Sequence, residues 1–156
     1  MEKMLISGVA KDKDVARISI IGLPDRPGLA FKVFSKVSAA KINVDIILQS
    51  IGRDGTKDIT FTVAQEKADE TEQILKDYLL PLGAKDVSAD KGVAKVSIVG
   101  AGMESHSGVA TKMFEALMDA QINIKMISTS EIKVSVLIDE KDADNAVKAI
   151  HDKFFD

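Results

Sequence analysis

Chemistry in a protein needs reactive groups that converge, and this 156-residue chain has few of them. There are two histidines and no cysteine, so disulfides and thiolate metal sites are excluded. His151 stands beside Asp152 and Lys153 in a helical pattern and reads as a solvated surface residue. His106 precedes a helix, where capping or ligand contact fits better than metal binding, because no partner of metal-ligand spacing is near. Gly100-Ala101-Gly102 opens like a dinucleotide loop, but Ser105 stands where the third glycine belongs. The acidic run Asp69-Glu70-Thr71-Glu72 sits near a helix start, where it complements the dipole as a solvated face. No catalytic and no metal-binding constellation is present, and no cofactor is expected in this chain.

Binding is better served. Gly22-Leu23-Pro24-Asp25-Arg26-Pro27-Gly28 joins a strand to a helix start. Unpaired N–H groups at a helix start favour a carboxylate, and Gly28 lets a ligand approach the backbone closely. Asp25 adds an acceptor for an ammonium, so the loop is suited to both ends of a zwitterion. The alternative is a well-capped turn in which Asp25 pairs with Arg26 or a nearby N–H. A second loop, Met103-Glu104-Ser105-His106-Ser107-Gly108, has similar placement but different chemistry.

Both loops belong to an internal repeat that sets the elements around them. Val15-Ala16-Arg17-Ile18-Ser19-Ile20-Ile21-Gly22 returns 78 positions on as Val93-Ala94-Lys95-Val96-Ser97-Ile98-Val99-Gly100. Beyond the loop, Gly28, Phe34 and Asn43 return 80 positions on as Gly108, Phe114 and Asn123. In each copy an alternating strand precedes apolar residues at helical spacing: Leu29, Val33, Phe34 and Val37, or Val109, Met113, Phe114 and Leu117. Pro27 suits the first turn of the first helix. Val44, Ile46 and Leu48 predict a second strand and Ile59, Phe61 and Val63 a third, joined by a hairpin through Gly52, Asp54 and Gly55. Ile124–Thr129 and Ile132–Ile138 are their counterparts. A second helix follows in each copy, carrying Ile74, Leu75, Tyr78 and Leu79 or Ala146, Val147, Ile150 and Phe154. The order is that of the split-βαβ, ferredoxin-like unit: α+β, two βαββαβ modules, antiparallel sheets with helices on one face. Module one spans 15–91, with a last strand in Lys85–Asp90; module two spans 92–156. The second copy has no residues after its last helix for a fourth strand. Residues 4–10 therefore either cross over to complete the second sheet or form a linker remnant without a fixed partner.

The whole composition agrees with a folded, non-catalytic module. Hydrophobic residues make up 46% and charged residues 29%, with net charge −3. A cationic stripe and stacking aromatics are both missing, which argues against nucleic acid. No run approaches the ~20 apolar residues of a membrane span and no secretion signal opens the chain, so a cytoplasmic location is expected.

Two βαββαβ modules, the first opened by Gly22-Leu23-Pro24-Asp25 and Pro27-Gly28, resemble tandem ACT domains. Asp58-Ile59-Thr60-Phe61-Thr62, Gly100-Ala101-Gly102-Met103 with Ser105-His106, Asn123-Ile124, and Ser128-Thr129-Ser130-Glu131-Ile132 resemble the regulatory region of aspartate kinases. The resemblance runs from about Leu5 to the end and implies that the first module is inserted within the second. It implies feedback control by threonine, lysine or both, and a kinase domain elsewhere that uses ATP and magnesium. The chain would then be a separate β subunit or a fragment of a longer kinase. The family pairs two chains, so a homodimer through the modules is implied, beside a catalytic subunit or domain. Carried over by position, a threonine-type site comprises Asp25, Gly28, Ala30 and Gln49, faced by Asn123 and Ile124. A lysine-type site comprises Met103, His106, Val109 and Ala110, faced by Asp45, Ser130 and Glu131. Strand alternation puts Asp45, Ile47 and Gln49 on one face. The chain departs from the family at Ser107, commonly Pro, and at Ala110, sometimes Thr, so threonine is favoured.

Overall fold

The computed structural model describes residues 6–52, 54–100 and 108–155. The chain divides into two compact units, one of residues 14–91 and one that joins the segment before Asp14 to residues 92 onward.

In the first unit, β2 (Ala16–Pro24) leads to helix α1 (Leu29–Ala39), β3 (Ile47–Ile51) and β4 (Thr56–Val63). A short 3-10 turn, α2 (Ala68–Asp77), α3 (Leu79–Leu82) and β5 (Asp86–Asp90) complete it. The strands lie in the order β3-β4-β2-β5, all antiparallel. Alternation in β2 sends Ala16, Ile18 and Ile20 to one face, where they are fully buried with Leu29, Val33 and Val37 of α1 and Leu75 of α2. Ile59, Phe61 and Val63 of β4 enter the same core, and the Phe61 ring meets Phe34 edge-on at 5.2 Å. Burying a side chain of this size stabilises by about 1.5–3 kcal/mol, which is how an apolar stripe on each helix fixes it to the sheet.

The second unit repeats the plan with one substitution. Strand β6 (Val93–Gly100), α4 (Gly108–Asp119), β7 (Met126–Thr129), β8 (Lys133–Asp139) and α5 (Ala143–Phe155) follow in order. The sheet order is β1-β6-β8-β7, where β1 (Ile6–Asp12) runs antiparallel to β6 and takes the place that β5 holds beside β2. Val96, Ile98, Val109, Met113, Leu117, Val136 and Ile150 form its core, with Val9 of β1 packed against it. Lys11 of β1 also pairs with Asp144 of α5.

A local signature marks the two copies. Lys41 and Gln121 both have φ 59°. Each ends its helix in a Schellman turn: Ile42 N–H donates to Val37 O at 3.2 Å and Lys41 N–H to Ser38 O at 2.9 Å, and Ile122 and Gln121 repeat both bonds at 2.9 Å to Leu117 and Met118.

Several element boundaries differ from the sequence expectation. Pro27 lies ahead of α1, whose N-cap is Gly28. The second helix of the first unit breaks at Tyr78 into α2 and α3, since Pro81 cannot donate to a continuing helix. Strand β3 begins at Ile47, not Val44. Thr62 explains this: its O accepts from Asp45 N–H at 3.1 Å and its Oγ1 from Ile46 N–H at 3.0 Å, so two residues oppose one.

Candidate functional site

The strand that delivers the first loop carries a bulge. Between Ile20 and Leu23 the register with β4 shifts, Gly22 takes φ 71°, and its N–H donates to Asp58 Oδ1 at 2.9 Å. The extra residue returns Leu23 to the core, fully buried, and aims the chain from Pro24 onward across the sheet end. Asp25 N–H then donates to Gly55 O at 3.1 Å, tying the loop to the β3–β4 hairpin. That hairpin is itself held by Asp54. A hydrogen bond from Thr56 at 2.6 Å, and another from Lys85, keep its carboxyl below the ordinary aspartate value.

At the helix start, Gly28 is the N-cap with φ 92° and ψ −10°, and no side chain caps the helix. The first turn carries no acidic residue, and the space where a Cβ on Gly28 would lie is open within 4 Å. Unoccupied N–H groups and the positive end of the helix dipole therefore face an accessible surface. Asp25 is half-exposed, and its carboxylate meets Lys57 Nζ at 3.9 Å, not Arg26. The local alternative of an Asp25–Arg26 pair is thus not what the loop adopts. Ala30 sits one residue inside α1, partly buried against the core. It also lines a shallow depression with Phe31, Phe34 and Ser38.

Gln49 lies on β3, the edge strand, opposite Ile59. It shares the helix-facing side with Ile47, opposite Phe61. All five residues of β3 are exposed. Asp45 does not share that alternation, because the bulge at Thr62 places it ahead of the strand. Asn123 and Ile124 precede β7 in the other unit, Asn123 exposed and Ile124 packed against the second core.

The lysine-type set is described only in part. Met103 and His106 lie outside the described residues, as does the second loop up to Ser107. Val109 is 2% exposed and belongs to the second core, so its side chain is structural. The resemblance alone placed it in the lysine-type site, and the helical spacing that the sequence also showed turns its side chain inward with Met113. Ala110 is partly buried against the same core. Ser130 and Glu131 are exposed in the β7–β8 turn, where Ser130 N–H donates to Lys133 O at 2.7 Å. No metal-binding group of His, Asp or Glu occurs among the described residues, and no helix among them is long and apolar enough to cross a membrane.

Sequence reasoning missed Lys57. It has no part in the sequence reading, yet its side chain is only 9% exposed beside Asp25. The signal was present: Lys57 lies two residues before Ile59, on the inward-facing alternation of β4.

Comparison with known proteins agrees with this architecture. Residues 16–79 match a model described as ACT domain, and residues 96–154 match a second model of the same description. An aspartate kinase from Pseudomonas fluorescens is 52% identical over 154 residues, 99% of this chain and 37% of that protein. An aspartokinase from Helicobacter pylori is 52% identical over 151 residues, 97% of this chain and again 37% of the relative. The chain thus spans a little over a third of these relatives. Among solved structures, the ligand-free regulatory subunit of aspartate kinase from Thermus thermophilus is 39% identical, with TM-score 0.90 over 97% of this chain and 99% of that one. A structure of aspartokinase alpha and beta subunits is 47% identical, with TM-score 0.90 over 96% of this chain and 98% of its counterpart. Two four-stranded antiparallel units, the second completed by β1, therefore match these regulatory subunits along nearly the whole chain, and the chain belongs to the ACT-domain regulatory region of the aspartate kinase family.

Proposed function

We propose that this chain senses an amino acid for an aspartate kinase and transmits feedback inhibition, with threonine as the first ligand and the β2–α1 loop as its site. One observation carries this reading: the uncapped start of α1, with no acid in its first turn, opens beside the half-exposed carboxylate of Asp25. The N–H groups suit a ligand carboxylate and Asp25 its ammonium. Gln49 offers an amide to a hydroxyl, and Asn123 and Ile124 of a facing module close the site. Lysine is the alternative ligand, taken at the second loop with Asp45, Ser130 and Glu131. Phosphoryl transfer, with its ATP and magnesium, belongs to a catalytic subunit or domain. The regulatory chain itself is non-catalytic, acts in the cytoplasm and pairs as a homodimer.

Ligand held across paired modules stabilises the arrangement that binds it better, by the difference in affinity between arrangements. The test is titration calorimetry of the chain with threonine, with lysine and with both. Threonine should bind, and Asp25→Ala should weaken it at least tenfold while the oligomeric state stays unchanged. A second reading, a scaffold that only holds an oligomer together, draws on the exposed apolar edge at Ile47, Leu48 and Ile51. It is favoured instead if no heat accompanies either amino acid and Asp25→Ala splits the oligomer.

A further inference from the structure

We propose that Lys57 is a specificity-determining residue of the first site, whose ammonium takes the carboxylate of the incoming amino acid. The inference rests on the sensing role proposed above and adds a residue and a required ligand group to it.

Lys57 stands opposite Leu23 on β2 and Ile51 on β3, on the face of the sheet that packs against the helices. Its side chain is 9% exposed, whereas Asp25 beside it is 52% exposed. The stem is buried while the ammonium at its tip still reaches solvent, since no buried side-chain nitrogen among the described residues lacks a hydrogen-bond partner. Lys57 has three N–H donors. Its one recorded contact among the described residues is Asp25 Oδ1 at 3.9 Å, beyond hydrogen-bond length. The ammonium is thus held by attraction alone, with donors left for an anion arriving at the mouth of the loop. Asp25 N–H is bonded to Gly55 O, two residues from Lys57 on the same hairpin, so the loop and β4 are held together at this point.

The two charges are of opposite sign and adjacent, the pattern that an α-amino acid presents in reverse. A ligand laid across them meets Asp25 with its ammonium and Lys57 with its carboxylate. The open start of α1 adds donors to the same carboxylate. The pair therefore selects for a free α-carboxylate next to a free amine. A purely structural Lys57–Asp25 pair would instead compete with the ligand for Asp25, and removing the lysine would then tighten binding.

The discriminating experiment titrates the chain, and its Lys57→Met and Lys57→Arg variants, with threonine, lysine and the α-carboxamide of each. Wild type should bind the free acid and bind its amide at least tenfold more weakly. Lys57→Met, which keeps an apolar stem, should lose roughly tenfold to a hundredfold in affinity for the acid and little for the amide. Lys57→Arg should recover most of the loss. Thermal melts of each variant check that the fold is kept, and Lys57→Arg stands in should Lys57→Met not fold: an arginine variant that binds acid and amide equally overturns the proposal. Unchanged or tighter binding of the acid by Lys57→Met overturns the role of Lys57 and leaves sensing by the loop intact. Absence of binding of either amino acid to wild type overturns both.

Discussion

Gly22 and Gly28 bracket the first loop, and both adopt positive φ, 71° and 92°, yet they should answer differently to the same substitution. A Cβ on Gly22 would lie 2.7 Å from the Lys85 side chain, while one on Gly28 would meet nothing within 4 Å. Both variants carry the strain of a left-handed residue, about 1–2 kcal/mol; Gly22→Ala adds displacement of Lys85 and should be the less stable in denaturant melts. Gly28→Ala should instead show its larger effect in amino-acid titration, since its methyl would project into the space a ligand needs. Equal losses of stability with unchanged binding would contradict that division. These glycines were legible from the sequence because a strand followed by Gly-Leu-Pro-Asp and Pro-Gly leaves little choice of backbone. Lys57 and Asp45 were not, and for related reasons. A lysine in a hairpin reads as surface, and its burial arises from the tertiary placement of β2 and the loop over it. Asp45 lies ahead of the ladder that alternation assumes, because Thr62 uses both its carbonyl and its hydroxyl to hold two successive residues.

Elements were easier to read than residues, because each is specified several times over. The helix C-termini at Lys41 and Gln121 share one dihedral although neither is a glycine, so repetition in sequence fixes even a strained turn. Strand β1 comes from the other end of the chain and fills the fourth position, beside β6, in the sheet of the second unit. Its attachment carries an electrostatic component that pH can probe. A hydrogen bond from Lys11, with its charge and that of Lys13, holds the Asp144 carboxyl below the ordinary value of 3.8. A carboxyl lowered on folding contributes stability that is present above its unfolded value and is lost as pH falls through its folded value. The Glu115 carboxyl is likewise lowered by a hydrogen bond from Lys153, whose own value is raised above 10.5, and this pair joins α4 to α5. Both carboxyl contributions are thus fully present above about pH 5, and that of Lys153 is present up to its ordinary value of 10.5. Melting of the second unit should be insensitive to them in that window and should fall below about pH 4. Asp144→Asn should lower the midpoint slightly at neutral pH, the pair being exposed, and should flatten the acid decline. A variant with the wild-type acid slope would show that β1 is held by its ladder to β6 and by Val9 alone.

At the scale of the whole molecule, the two sheets share an unusual feature: each ends on a side where apolar residues face outward. Strand β3 exposes Ile47, Leu48 and Ile51, at 53%, 37% and 79%, and α1 adds Phe31 at 77%. The corresponding side of the second unit exposes Ile127 and Ile132, at 42% and 57%, with Met118 at 67% on α4. An edge strand carries unpaired N–H and C=O groups, and when its side chains are also apolar it is a template for pairing with another strand. Isolated exposed apolar residues need no explanation, but a contiguous set along an edge does. The homodimer proposed for this chain would use these edges, and it would bring Gln49 of β3 to the boundary where a facing module would supply Asn123 and Ile124. Ile47→Lys and Ile127→Lys test it directly. Each replaces an exposed side chain, so the stability of the separate chain should move little, by about 0.5 kcal/mol or less. Light scattering should nonetheless show the particle falling from twice the mass of one chain toward once that mass. Threonine affinity should fall with the dimer in the same variants, because the site is closed by the partner module. Dissociation with undiminished threonine binding would place the complete site within one chain and would remove the reason for coupling between binding and assembly. A dimer that survives both lysines would move the interface off these edges altogether.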